Sequence, residues 1–153
     1  MQNKTRRIGR APEWKSQNTK TSVQLNHVKG GRTISLLNMQ IKRAGKKWIR
    51  TRAYLDSGAH TSIFNAKTMK KLGISPSSGK IVSMRDGSGR IFRCRQRRVE
   101  IKVGGLIFPL NATFSTDFKM DFNVLGMDFF SQTIIVFDIL NNRVIIDKID
   151  EGS

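Results

Sequence analysis

Tyr54-Leu55-Asp56-Ser57-Gly58-Ala59-His60-Thr61-Ser62-Ile63-Phe64 is the stretch from which the rest of the chain is read. Strand-forming residues deliver one carboxylate, Asp56, into a turn, and a hydroxyl residue and a glycine follow it at once. Gly58 can adopt backbone angles closed to other residues and lets a second backbone or a substrate come close. Ser57 can hydrogen-bond to neighbouring backbone. An ordinary surface turn has the same composition, so the triplet needs a second signal.

The second signal is Phe122-Asn123-Val124-Leu125-Gly126-Met127-Asp128-Phe129-Phe130. With the first, it resembles the retropepsin-like aspartic proteases. There an Asp-Thr/Ser-Gly-Ala/Ser turn carries the catalytic carboxylate, and a later Ile/Val-Leu-Gly segment, often followed by x-Asp-Phe-Leu, runs behind it. The likeness is to Ty3/gypsy-type retrotransposon proteases and to the retropepsin-like domain of DNA-damage-inducible proteins. It spans roughly residues 34 to 147, and two motifs in the right order are more specific than either alone.

Outward from Asp56, alternation and turns dominate. A strand is expected from Ser22, with Val23, Leu25 and His27 on one face, then a turn at Gly30-Gly31. Ile34–Lys42 and Lys47–Leu55 read as a hairpin that feeds Asp56. In its second strand Ile49, Thr51, Ala53 and Leu55 share one face, and Trp48, Arg50, Arg52 and Tyr54 the other. Asn65–Leu72 reads as a helix capped by Asn65, with Ala66, Met69 and Leu72 inward and Gly73 closing it. Lys80–Met84 and Ile91–Val103 flank Arg85-Asp86-Gly87-Ser88-Gly89-Arg90, a hairpin tip. No helix pattern follows Gly89, so Gly-x-Gly is not a phosphate loop. The apolar residues of 91–103 change parity, from Phe92 and Cys94 to Val99, Ile101 and Val103, which predicts a bulge or a bend between sheets near Gln96–Arg98.

Leu106–Phe114 is a further strand, and Pro109 places that part at an edge. One helical turn is expected at 127–131, and Thr133–Leu140 with Arg143–Asp147 as a hairpin over Asn141-Asn142. The outcome is an all-β domain over 22–150, a barrel-like folded sheet or sandwich with one short helix. The resemblance makes it the retropepsin-like acid protease fold, functional as a two-fold dimer.

Charge divides the chain. Among its 153 residues, 1–52 hold 14 basic residues and one acidic, whereas 53–153 hold 14 and 10. Residues 1–21 read as a basic disordered arm, with too few apolar groups to offset the entropy of ordering. Such an arm suits nucleic acid or an acidic surface, and a solvated tail accounts for it equally. Trp14 can stack on a base or dock on the domain. Arg93, Arg95 and Arg97 line one side of their strand, either as a solvated edge that discourages aggregation or as a stripe contacting substrate or RNA. The single cysteine, Cys94, excludes an internal disulfide and fits a reducing, intracellular setting, the cytoplasm or a retroelement particle. No apolar run is long enough for a membrane span. His27 and His60 have no ligand-spaced partners, so neither metal nor cofactor is expected.

Aspartic-protease chemistry needs two carboxylates sharing one proton, one a base toward water and the other an acid toward the scissile carbonyl. This sequence has one Asp-Ser/Thr-Gly; Asp86-Gly87-Ser88 has the wrong order, and Asp117 and Asp121 have no following glycine. The resemblance therefore implies a homodimeric endopeptidase with Asp56, Ser57 and Gly58 of each subunit at the two-fold axis. It implies a flap with Gly87, Ser88 and Gly89 at its tip, over an extended polypeptide substrate. Ala59, Leu125, Gly126 and Asp128 are implied as supports of the site. Polyprotein processing is the matching task. The alternatives are a non-catalytic nucleic-acid-binding module that keeps this fold as a dimer scaffold, and an unrelated RNA-binding barrel in which both motifs are coincidence.

Overall fold

The computed structural model describes residues 20–28 and 34–149. Most of the basic arm, Trp14 and Gly30-Gly31 lie outside the described residues. Ten strands form one connected sheet: β1 Lys20–Val28, β2 Ile34–Lys42, β3 Ile49–Leu55, β4 Ile63–Phe64, β5 Lys80–Arg85, β6 Ile91–Val103, β7 Leu106–Phe114, β8 Asn123–Leu125, β9 Thr133–Asp138 and β10 Arg143–Lys148. Two short helices, α1 Ala66–Lys71 and α2 Met127–Phe130, complete it.

The sheet closes on itself. Its order runs β6-β7-β4-β8-β3-β2, and β2 returns to β6 through Ile41 opposite Ile101, giving a closed 6-strand barrel. The barrel interior collects Leu37, Met39, Ile41, Ala53, Leu55, Phe64, Phe108, Phe114 and Phe129. Phe64 stacks on Phe114 at 5.3 Å and Phe108 meets Phe129 edge-on at 5.0 Å. Burying each such ring stabilises the fold by about 2–3 kcal/mol.

Beside the barrel, β1 leaves β2 and pairs through Lys20–Gln24 with β10, which in turn pairs with β9. β9 ends the sheet order.

The parity change in β6 has a different physical origin from a bulge. β6 stays in unbroken antiparallel register with β7 from Arg95 opposite Phe114 to Val103 opposite Leu106. Its other edge changes partner, pairing β5 up to Gln96 and β2 from Glu100. Cys94 joins a small cluster with Ile63 and Val124, packed by Val82, Met84, Phe92, Phe118 and Phe122. Val99, Ile101 and Val103 join the barrel core instead. One regular strand thus serves two cores on its two faces.

Several local expectations hold. Asn65 caps α1 by accepting from Thr68 N at 2.9 Å, and Gly73 takes φ 64. Pro109 sits where β7 is paired by β6 alone, since β4 reaches only Thr113 and Phe114. Others differ. β1 starts at Lys20 rather than Ser22. Ala66 is exposed, and the inward face of α1 carries Thr68 with Met69.

The final hairpin turns over 139–142 rather than over two asparagines. Asp138 accepts from Asn141 N at 3.4 Å and from Arg143 Nε at 2.7 Å, which stabilises a 3-10 turn at Ile139–Asn141. Those contacts, the Asn141 amide first and then Arg143, hold the Asp138 carboxyl below the usual carboxylate range.

Candidate active site

Asp56 directly follows β3, whose last residues, Ala53 to Leu55, pair in parallel with β8, while its antiparallel pairing with β2 stops at Ala53. Its N–H donates to Leu125 O at 3.0 Å, and its carbonyl accepts from Ala59 N at 3.1 Å. Its carboxylate Oδ1 accepts from Gly58 N at 2.9 Å. Ser57 and Gly58 are exposed, whereas Asp56 and Ala59 are half-buried. Gly58 does not adopt a left-handed backbone. Its value is space, because a Cβ there would come within 3.1 Å of Asp56 Oδ1.

The second motif braces this loop from behind. Met127 N donates to Ala59 O at 2.8 Å. Gly126 fits so closely that a Cβ would lie 2.6 Å from Ala59 O and 2.9 Å from the Thr61 carbonyl carbon. Asp128 takes Ser62 N on both carboxylate oxygens at 3.0 Å and the Ser62 hydroxyl at 2.6 Å. Gly126 N donates in turn to Ser62 Oγ at 3.0 Å. Ser62 O accepts from Thr113 N and Oγ1, which ties the loop to β7. Leu125 is fully buried. Asp56, Ser57, Gly58, Ala59, Leu125, Gly126 and Asp128 therefore lie in one hydrogen-bonded assembly of two chain segments.

Gly87, Ser88 and Gly89 lie at the tip of the β5–β6 hairpin, apart from that assembly in the hydrogen-bond network. Asp86 organises the tip. Its Oδ1 accepts from Ser88 Oγ at 2.6 Å, Ser88 N at 2.9 Å and Arg90 N at 3.0 Å. These bonds, the Ser88 hydroxyl foremost, hold its carboxyl below the usual range.

A family model described as "gag-polyprotein putative aspartyl protease" matches residues 39–132, more than half the chain. The chain belongs to this family. No curated protein matches it in sequence. Among solved structures, a retropepsin-like aspartic protease from Rickettsia conorii aligns with TM-score 0.56 at 14% identity, over 90% of this chain and 98% of that one. The aspartic proteinase from Irpex lacteus aligns with TM-score 0.55 at 12% identity, over 92% of this chain but 50% of its own. The retroviral protease-like domain of Ddi1 from Leishmania major aligns with TM-score 0.49 at 20% identity, over 77% of this chain and 97% of its own. The Rickettsia conorii likeness, with the family match, shows the retropepsin-like fold.

Two features of this chain escape a motif reading. Ser62 is the residue through which Asp128, Gly126 and Thr113 all reach the loop, yet nothing in its sequence context sets it apart. The other is a buried polar knot beside it. Asn123 Oδ1 accepts from Asn65 N and Thr68 Oγ1, and its Nδ2 donates to Thr51 Oγ1 and Arg52 O. A buried amide with every partner present fixes β8 between β3 and α1.

The arginine stripe has a third role that the sequence did not offer. Arg95 donates to Pro76 O and Gly79 O, each at 3.1 Å, and Arg97 to Ser78 Oγ. Both side chains fasten the loop before β5, and Arg93 alone of the three is exposed. Cys94 is buried, and burial pushes its thiol up, which makes it a core group rather than a nucleophile.

Proposed function

We propose that this chain is an aspartic endopeptidase active as a homodimer, with Asp56 of each copy supplying half of the acid–base pair. The observation that carries the proposal is the bracing of Asp56. Its loop is hydrogen-bonded to Leu125, Ala59 and Gly58, and the loop is in turn fixed by Gly126 and Asp128. A lone surface turn needs no such support. Preorganisation of this kind is what lets a carboxylate hold a water at fixed geometry.

Two carboxylates sharing one proton would divide the work. One accepts a proton from water as it attacks the peptide carbonyl, and the other donates to the carbonyl oxygen. Ser57 and Gly58 would join the two loops across the axis, and Gly87, Ser88 and Gly89 would cover an extended polypeptide paired as a strand. This chain spans 50% of the Irpex lacteus proteinase chain with the same fold, which supports one copy being half a site. The free edge strand β9 offers a surface for the second copy, for Ile134, Val136, Phe137, Ile139 and Leu140 are all exposed there. β1 is less suited, because it is already paired along its length, with β10 through Lys20–Gln24 and with β2 through Leu25–Val28. The matching task is polyprotein processing inside a cell or a retroelement particle.

The test is digestion of a diverse peptide library read by mass spectrometry, wild type beside Asp56→Asn. Wild type should cleave, and the variant should lose roughly 10³-fold or more. Equal cleavage by both proteins overturns the assignment.

A further inference from the structure

A sizeable cavity among the described residues lies away from Asp56. It is an open recess of about 560 Å³ between β2, β3, α1 and the β6–β7 turn. Five basic side chains line it, Arg50, Arg52, Lys67, Lys71 and Lys102, with a single acidic one, Asp121. Among the described residues, Arg50, Arg52, Lys67 and Lys71 form no ion pair. Lys102 rests instead on the Trp48 ring at 4.2 Å.

The geometry is regular. Arg50 and Arg52 alternate on the exposed face of β3, about 6.6 Å apart along the strand. Lys67 and Lys71 are one turn apart on the exposed face of α1, about 6 Å along its axis. A backbone whose charges recur at a comparable step can meet both rows. Beneath them the floor is neutral and fixed, because Thr51, Asn65 and Thr68 are consumed by the Asn123 knot. Cations held this close without acidic partners repel one another, and an anion entering the recess relieves that repulsion.

Two further observations narrow the ligand. Met39 is the one large apolar side chain in the lining, and it is buried, so the recess has no anchor pocket of the kind a peptide side chain would fill. Gly104 and Gly105 form part of the rim, and Thr21 Oγ1 donates to Gly104 O at 2.9 Å. Strand β1 therefore meets the recess at this rim, through Thr21.

We propose that this recess binds the phosphate backbone of a single-stranded nucleic acid, at a site separate from the peptidase centre. The concave shape suits a single strand better than a duplex or a flat lipid surface. The site does not depend on the protease reading, and Arg95 and Arg97 are not part of it, being occupied by the loop at 76–79.

The experiment is fluorescence anisotropy of a labelled uridine 20-mer with the full chain, titrated from 50 to 200 mM salt. Arg50→Glu/Arg52→Glu is compared with Lys80→Glu/Arg98→Glu, which changes net charge equally at exposed positions outside the recess. The recess variant should bind at least about 10-fold more weakly and lose about 1.4 from the slope of log K against log salt, as two lost phosphate contacts require. The control should bind nearly as wild type. Lys67→Gln/Lys71→Gln, on an exposed helix face, gives the same answer if the first variant fails to fold. Equal losses in recess and control variants, no loss in either, or equal competition by polyglutamate would each overturn the proposal. Cleavage of a short neutral peptide should be unchanged in all three variants.

Discussion

Ser62 carries more of the loop's geometry than any residue the motifs name. Its N–H and hydroxyl both go to Asp128, its oxygen receives Gly126 N, and its carbonyl receives Thr113. The residue is fully buried, so each of these groups would be costly to leave unpaired. Ser62→Ala removes the hydroxyl and strands one Asp128 oxygen contact and Gly126 N. It should cost about 1–3 kcal/mol, read as a lower urea midpoint with unchanged slope. Under the proposed function the same variant should lower kcat more than it raises KM, because it loosens Asp56 rather than the peptide groove. A variant of wild-type stability and activity would show that Asp128 braces the loop without it. Asp56 and Asp128 were legible because their neighbours, Gly58 and Gly126, leave room that other residues would fill. Ser62 was not, since a serine's partners lie in distant segments that only folding brings near.

Elements were legible where one physical rule governs a segment. Alternation fixed the faces of β3, and the Asn65 cap with Gly73 bounded α1. β4 was missed because two residues carry no period, and its pairings with β7 and β8 are wholly non-local. The parity change in β6 was read correctly; no bulge marks it, and the strand instead passes from β5 to β2 as its partner beyond Gln96, so that its two faces serve two cores. The hairpin tip shows how far local chemistry reaches. Asp86 accepts all its hydrogen bonds from residues within four positions, and its carboxyl is held low chiefly by Ser88. A depressed pKa means the tip's order is fully present above the unfolded value and is lost as pH falls through the folded one. The amide signals of Ser88 and Arg90 should therefore stay constant through mildly acidic pH and shift with a midpoint below 3.8, the ordinary value for that carboxyl. A midpoint at or above it would show that Asp86 does not hold the tip. The consequence for the proposed peptidase is a tip that keeps its shape at acidic pH while a shared-proton pair titrates. Asp86→Ala should raise KM for an extended peptide and leave thermal stability nearly unchanged.

At the scale of the whole molecule, the barrel is closed, and the proposed function asks for a second copy. The barrel closes on itself, and the sheet order ends at two open edges, β5 and β9, of which β9 carries the exposed apolar residues Ile134, Val136 and Phe137. Val136 on β9 is 51% exposed and Leu140 in the turn after it is 96% exposed, an apolar surface of the kind that marks interaction sites. An unpaired apolar strand edge invites either a specific partner or aggregation. A second copy related by a two-fold axis covers the same patch on both subunits at once. Val136→Glu/Leu140→Glu places four carboxylates in that contact while disturbing side chains that already face water. The folded monomer should keep its stability to within about 0.5 kcal/mol, as for other surface changes. Sedimentation at micromolar concentration should then show a dimer for wild type and a monomer for the variant. Peptidase activity should fall with the dimer, and high protein concentration should restore part of it by mass action. A variant that remains dimeric and active would move the interface away from β9. A wild type that is monomeric and fully active would instead require the second carboxylate to come from within one chain.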